Sequence, residues 1–209
     1  MKRRDFIAFG LSTLMLAACG RRPKLSALPA GTPVLAFGDS VTYGTGADRG
    51  EDWPTLLAGL TGWQIVNAGV PGDTAAAGTA RIQALLDEHK PKLVIIEIGG
   101  NDFLRRRPAD AVKNDLKTLV EASRAAGAIP LLIGVPELSV MAVVAGKPTD
   151  SPSYAELGKK EKIPVVSDIF SDVLSRPELR ADTIHPNAAG YRRMADDLYS
   201  ALRQSGLAR

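Results

Sequence analysis

At 209 residues, 45% hydrophobic and 23% charged, the chain has the size and composition of one globular α/β domain, which excludes a disordered or fibrous protein. A chain of this length can bury roughly 70% of its unfolded surface, so it needs no disulfide or structural metal to fold. The formal charge of +3 is concentrated in Lys2, Arg3 and Arg4; beyond residue 18 basic and acidic groups balance to within one charge, leaving no electrostatic footprint for nucleic acid.

Residues 1–18 read as a signal peptide and stand outside the fold. The three cations precede an apolar stretch over residues 6–18, too short for the roughly 20 residues that span a bilayer. The stretch ends in Leu16-Ala17-Ala18-Cys19, which resembles the lipobox of bacterial lipoproteins. In that family the cysteine is diacylglycerol-modified, the peptide is cut before it and the new amine is acylated, so the resemblance implies a membrane anchor at Cys19. The alternative is ordinary cleavage beside an incidental cysteine. Arg3-Arg4-Asp5-Phe6-Ile7 is similar to the core of a twin-arginine export signal, with Sec export the alternative. Gly20, in place of aspartate after the cysteine, points by the lipoprotein sorting rule toward the outer membrane. An exported envelope lipoprotein on the periplasmic side is expected. Residues 19–32, with Arg21, Arg22, Pro23, Lys24, Pro29 and Gly31, read as a flexible tether, and residues 33–209 as the folded domain.

Residues 34–37 form an apolar first strand that stops at Gly38-Asp39 and presents Ser40. Gly44, Gly46 and Gly50 then make the chain too glycine-rich for a regular element. A helix follows from Trp53, with Asp52 as its cap and Pro54 in its first turn. Residues 64–67 read as a second strand, and Ile82, Leu85 and Leu86 as the stripe of a helix closed by His89, Lys90 and Pro91. Residues 93–98 are a β-branched run suited to a central parallel strand, ending in Gly99-Gly100-Asn101-Asp102. A helix over residues 108–126, a strand over 129–135, an apolar loop within 136–151, a helix over 154–161, a short strand over 163–166 and a final helix carrying Tyr191, Met194 and Leu198 complete the chain. Alternating strands and helices predict a three-layer α/β/α domain with a five-stranded parallel sheet and right-handed crossovers.

Four polar clusters fall at strand ends or before the last helix: Asp39-Ser40, Gly72-Asp73, Asn101-Asp102 and Asp182…His185. Parallel α/β sheets collect such loops along one edge. Ser40 supplies a hydroxyl, His185 a base to take its proton, and Asp182 a carboxylate to fix the imidazole tautomer. Asp39 and Asp102 read as structural. The other histidine, His89, reads as an exposed cation at a helix end. Arg105, Arg106 and Arg107 read as a solvated helix entry, with a substrate phosphate or carboxylate as the alternative. Gly44-Thr45-Gly46 does not complete a dinucleotide loop, and no cluster has metal-ligand spacing; no cofactor and no metal are expected.

Gly38-Asp39-Ser40, Gly72, Gly100-Asn101-Asp102 and Asp182-Thr183-Ile184-His185-Pro186 resemble blocks I, II, III and V of the SGNH, or GDSL-like, hydrolases over residues 33–205. Residues 69–74 and 97–102 are especially similar to the branch of bacterial arylesterases, lysophospholipases and acyl-CoA thioesterases. The resemblance implies the flavodoxin-like SGNH fold, Ser40 as nucleophile, His185 as base and Asp182 as its partner. It also implies an oxyanion hole of the Ser40 and Gly72 amides and the Asn101 side chain.

The expected activity is hydrolysis of carboxylic esters or thioesters of acyl chains, on a small ester or lipid, by a monomer. The alternatives are a carbohydrate O-acetyl esterase and an inactive surface-binding lipoprotein. The aliphatic residues 140–145 favour an acyl chain over a sugar.

Overall fold

The apolar runs become five parallel strands: β1 (Pro33–Gly38), β2 (Gln64–Gly69), β3 (Leu93–Glu97), β4 (Ile129–Ile133) and β5 (Val165–Val166). The computed structural model describes residues 26–137 and 148–209; the signal segment, Cys19 and residues 140–145 lie outside the described residues. β1, β3 and β4 are buried nearly throughout, as strands covered on both faces must be, while β2 is the half-exposed edge. The sheet order is β2-β1-β3-β4-β5. The chain therefore steps from β1 to one side and then crosses back over β1 to reach β3. In register, Leu35 lies beside Val66 on one flank and Val94 on the other.

Eight helices join these strands among the described residues: α1 (Ser40–Tyr43), α2 (Trp53–Thr61), α3 (Ala75–His89), α4 (Gly100–Leu104), α5 (Ala109–Ala125), α6 (Pro152–Glu161), α7 (Ile169–Leu174) and α8 (Ala188–Ser205). Right-handed crossovers running in opposite directions from β1 put α2 and α3 on opposite faces. α2 and α7 pack on α8 over one face, and α3 and α6 pack on α5 over the other. Local chemistry sets the ends. Asp52 accepts the Thr55 amide at 2.9 Å to start α2, Thr74 and Asn187 cap α3 and α8 in the same way, and Gly62 closes α2 with φ of 71°. No helix among the described residues is long and apolar enough to cross a membrane.

The structure departs from the sequence expectations in its shortest elements. Ser40–Tyr43, Gly100–Leu104 and Ile169–Leu174 are helical, and Pro177–Leu179 is a 3-10 turn. One or two turns carry too few residues for hydrophobic periodicity to register. β5 is limited to Val165–Val166, because the Ile163 amide turns back to the Gly158 carbonyl to close α6 and Pro164 has no N–H to give. The last residues of the expected tether belong to the folded body. Leu28 donates to the Leu207 carbonyl at 2.9 Å and accepts from Trp63 Nε1 at 3.3 Å, and Gly31 donates to Gly62.

Gly38 ends β1 where a side chain has no room, since a Cβ there would collide with Thr42 Oγ1 and the Glu97 carbonyl. Thr42 Oγ1 uses that space to donate to Glu97 Oε2 at 2.7 Å, tying α1 to the end of β3. Gly38→Ala is expected to cost about 1–3 kcal/mol or more of stability, read from urea unfolding, as overpacking does; a neutral result would show that the α1 turn yields.

Candidate active site

Ser40 is the first residue of α1, directly beyond the carboxyl end of β1, and Asp39 caps the turn by accepting the Val41 amide at 3.1 Å. His185 and Asp182 lie on the loop before α8. Asp182 Oδ1 accepts the Ile184 and His185 amides, each at 2.8 Å, so the carboxylate curls back toward the ring. The Ala181 amide donates to the His185 carbonyl at 2.9 Å and closes the loop. The structure brings the three predicted residues into one chain of hydrogen bonds: Ser40 Oγ to His185 Nε2 at 2.9 Å, and His185 Nδ1 to Asp182 Oδ2 at 2.7 Å. Partial burial pushes the Asp182 carboxyl up, but the His185 ring and the two loop amides outweigh it and hold the group below its ordinary range. An ionised Asp182 can only accept, so Nδ1 carries the proton and Nε2 is left to accept the serine hydroxyl.

The three predicted oxyanion donors also converge. Val70–Asp73 is a tight turn closed by the Asp73 amide on the Val70 carbonyl at 3.1 Å, with Pro71 and Gly72 at its centre and Gly72 at φ of 84°. Among the described residues, neither the Ser40 nor the Gly72 amide donates to a protein acceptor. The Asn101 side chain, on α4, donates to the Asp73 carbonyl at 2.9 Å and, at a long 3.3 Å, to Asp39 Oδ2. The weaker bond leaves one amide hydrogen available to a stronger acceptor. A shallow cleft opens over Ser40, Asn101 and His185, walled by Val41, Leu104, Phe170 and Ile184.

Asp102 is structural, as expected, while other supporting residues escape sequence reading. Asp102 is fully buried; its Oδ2 accepts the Ala75 amide at 2.8 Å, and its Oδ1 pairs with Arg107, which also holds Asp115 at 2.8 Å. Arg107 is therefore paired to buried structure and does not belong to a solvated helix entry. Arg105 is exposed and donates to the Gly72 carbonyl at 3.1 Å. Arg81, which no motif flagged, spans the ends of β1 and β2. His89 closes α3 just before β3, at the sheet edge opposite Ser40. Among the described residues no group of three or more histidine, cysteine, aspartate or glutamate side chains could hold a metal ion.

Two buried carboxyls underlie the serine. Burial pushes Asp39 up to about 7 against the pull of the Val41 amide and His185, and burial pushes Glu97 well above the ordinary range, with Asp39 adding to it. As pH rises from 3.8 toward about 7, the unfolded chain releases a proton that folded Asp39 still holds, so this group lowers stability with rising pH. Asp182 has the opposite sign: its contribution is present above the ordinary carboxylate range and is lost as pH falls through its depressed value. Asp39→Asn keeps an oxygen for the Val41 amide and removes the titration. Its melting temperature relative to the unsubstituted protein is expected to become more favourable across pH 4–7. A flat or shrinking difference would contradict a proton-holding Asp39.

The GDSL-like Lipase/Acylhydrolase family model matches residues 36–193. Esterase TesA of Pseudomonas aeruginosa is 32% identical over 202 residues, covering 92% of this chain and 98% of the relative. Thioesterase 1/protease 1/lysophospholipase L1 of Escherichia coli K12 is 33% identical over 161 residues, covering 74% and 75%. A crystal structure of TesA superposes with a TM-score of 0.72 at 31% identity, covering 82% of this chain and 98% of that one. The family pattern thus spans the sheet edge where the serine, histidine and oxyanion candidates meet, and this chain belongs to the GDSL-like lipase/acylhydrolase family.

Proposed function

We propose that this protein hydrolyses carboxylic esters and thioesters of acyl chains through an acyl-serine intermediate, with Ser40 as nucleophile, His185 as general base and Asp182 as its partner. The observation that carries the reading is the continuous hydrogen-bond chain Ser40–His185–Asp182 beside two amides that donate to no protein acceptor among the described residues. Ser40 Oγ attacks the acyl carbonyl carbon as its proton passes to His185 Nε2. The tetrahedral oxyanion then receives the Ser40 and Gly72 amides and the Asn101 hydrogen that rests on Asp39. Collapse expels the alcohol or thiol, protonated from Nε2, and water repeats the sequence on the acyl-enzyme with His185 again as base. Protons and electrons balance within substrate, water and side chains, so the reaction calls for no cofactor.

The apolar wall of Val41, Leu104, Phe170 and Ile184 supports an acyl chain as the group held beside Ser40. The names of the Pseudomonas and Escherichia relatives support esters, thioesters and lysophospholipids as the substrate class. The N-terminal pattern supports export, cleavage before Cys19 and lipidation there, with residues 19–27 as the tether of a monomeric, envelope-anchored enzyme. A surface polysaccharide deacetylase would use the same residues on acetate alone.

Purified protein is expected to hydrolyse p-nitrophenyl esters with a maximum at medium or long chains, and to hydrolyse a lysophospholipid. Activity confined to acetate would select the deacetylase. Ser40→Ala should lose about 10⁴-fold or more, and Asn101→Ala about 10²- to 10³-fold in kcat. Ester turnover that survives Ser40→Ala would remove the serine mechanism. In cells, labelled palmitate should enter the protein and Cys19→Ser should abolish labelling and release the protein to the soluble fraction; unlabelled, soluble protein before substitution would remove the anchor.

A further inference from the structure

Arg81 stands on α3 outside the proposed triad and oxyanion donors, yet its guanidinium reaches three parts of the site at once. Nη2 donates to the Gly38 carbonyl at 2.8 Å, Nη1 to the Ala68 carbonyl at 2.9 Å, and Nε to Asp73 Oδ2 at 2.7 Å. The guanidinium carbon lies 4.1 Å above the Phe37 ring, and the side chain is only 23% exposed. Gly38 is two residues before Ser40 on β1, Ala68 lies at the end of β2, and Asp73 follows Gly72 in the turn that presents its amide. A planar fork with donors in fixed directions is suited to hold three such acceptors at set separations, and a lysine ammonium is not. We propose that Arg81 is a positioning residue that sets the Gly72 amide relative to Ser40 by bracing the Val70–Asp73 turn against the ends of β1 and β2. The inference rests on the reading of Gly72 as an oxyanion donor.

The other anchors of the turn do not replace this brace. Asn101 holds the Asp73 carbonyl and Arg105 holds the Gly72 carbonyl, and both reach the turn from α4 or its exit, on the β3 side. Of the three side chains, Arg81 bonds the turn to β1 itself, at the Gly38 carbonyl that the Val70 amide also reaches at 3.1 Å from the start of the turn, whereas Asn101 meets Asp39 just beyond the strand at a long 3.3 Å. Donor strength at the transition state depends on placement within a fraction of an ångström, so loosening the turn should act on the chemical step more than on substrate binding.

Arg81→Lys keeps the charge and loses the fork; Asp73→Asn keeps the two carbonyl bonds and loses the ion pair. Active-site titration with a fluorophosphonate corrects each variant for folded, reactive Ser40. Per titrated site, Arg81→Lys should lower kcat by about 10- to 100-fold with KM within about twofold, and Asp73→Asn should lower it less in the same direction. A trifluoromethyl ketone, whose Ser40 adduct carries the oxyanion, should bind more weakly by the same factor, a change that a smaller folded fraction would not produce. Wild-type kcat and ketone affinity in titrated Arg81→Lys would overturn the proposal, as would a rise in KM alone. Should Arg81→Lys fail to fold, Asp73→Asn decides on the same readouts. The unsubstituted protein, Ser40→Ala and Asn101→Ala run alongside: an active parent that loses turnover in both, with Arg81→Lys unaffected, removes the Arg81 role and leaves the serine mechanism standing.

Discussion

The constraint on which the site depends is the reversal of winding at β1. Because β1 pairs with β2 on one side and β3 on the other, the loops leaving β1 and β3 diverge and open a crevice beyond their carboxyl ends. Ser40 follows β1, Asn101 follows β3, and the Gly72 turn follows β2. Three donors from three consecutive strands therefore face one point without any long loop having to reach for it. His185, the proposed base, arrives on the loop before α8 and meets Ser40 at 2.9 Å in the same crevice.

Close approach there leaves little room, and polar groups fill what side-chain bulk cannot. Thr42 bonds Glu97 under the serine turn, Asp102 joins the start of α3 to α4 through the Ala75 amide, and Arg107 offsets the charge of Asp102. Buried charges cost several kcal/mol unless paired or neutralised, so each member of this frame is held by a partner or by a raised pKa. Among the described residues the frame leaves one atom, Glu97 Oε1, buried without a hydrogen-bond partner. Such a layer adds little net stability. What it supplies is direction, since each bond ties one element of the site to another.

The strands and long helices were legible in the sequence because their signal repeats. Residues 93–96 are apolar without interruption, and α5 shows Val112, Leu116, Leu119 and Val120 at helical spacing. The candidate site was legible because its residues sit in short motifs, at strand ends or before the last helix, that resemble those of a known family, and the structure brings Ser40, Gly72, Asn101, Asp182 and His185 to one edge of the sheet. The one-turn helices at Ser40 and Gly100 were not legible, since the same few residues read equally as turns. Nor was the partnership of Arg107: three consecutive arginines look alike until Asp102 and Asp115, one upstream and one on the next helix, select the third. Arg81 lay beyond reach for a related reason. Two of its three acceptors are backbone carbonyls, which carry no residue identity at all.

Asp39 and Asp182 show how one cleft can set two carboxyls to opposite tasks. Asp182, half exposed and bonded by two amides and the imidazole, stays ionised and can balance an imidazolium as it forms. Asp39, buried beneath Ser40, resists ionisation, yet His185 lies close enough to pull against that resistance. The long 3.3 Å Asn101–Asp39 bond fits a carboxyl whose ionisation burial disfavours, since the neutral form is the poorer acceptor. That weakness leaves Asn101, the proposed oxyanion donor, little bonding to give up when it turns to a substrate oxygen.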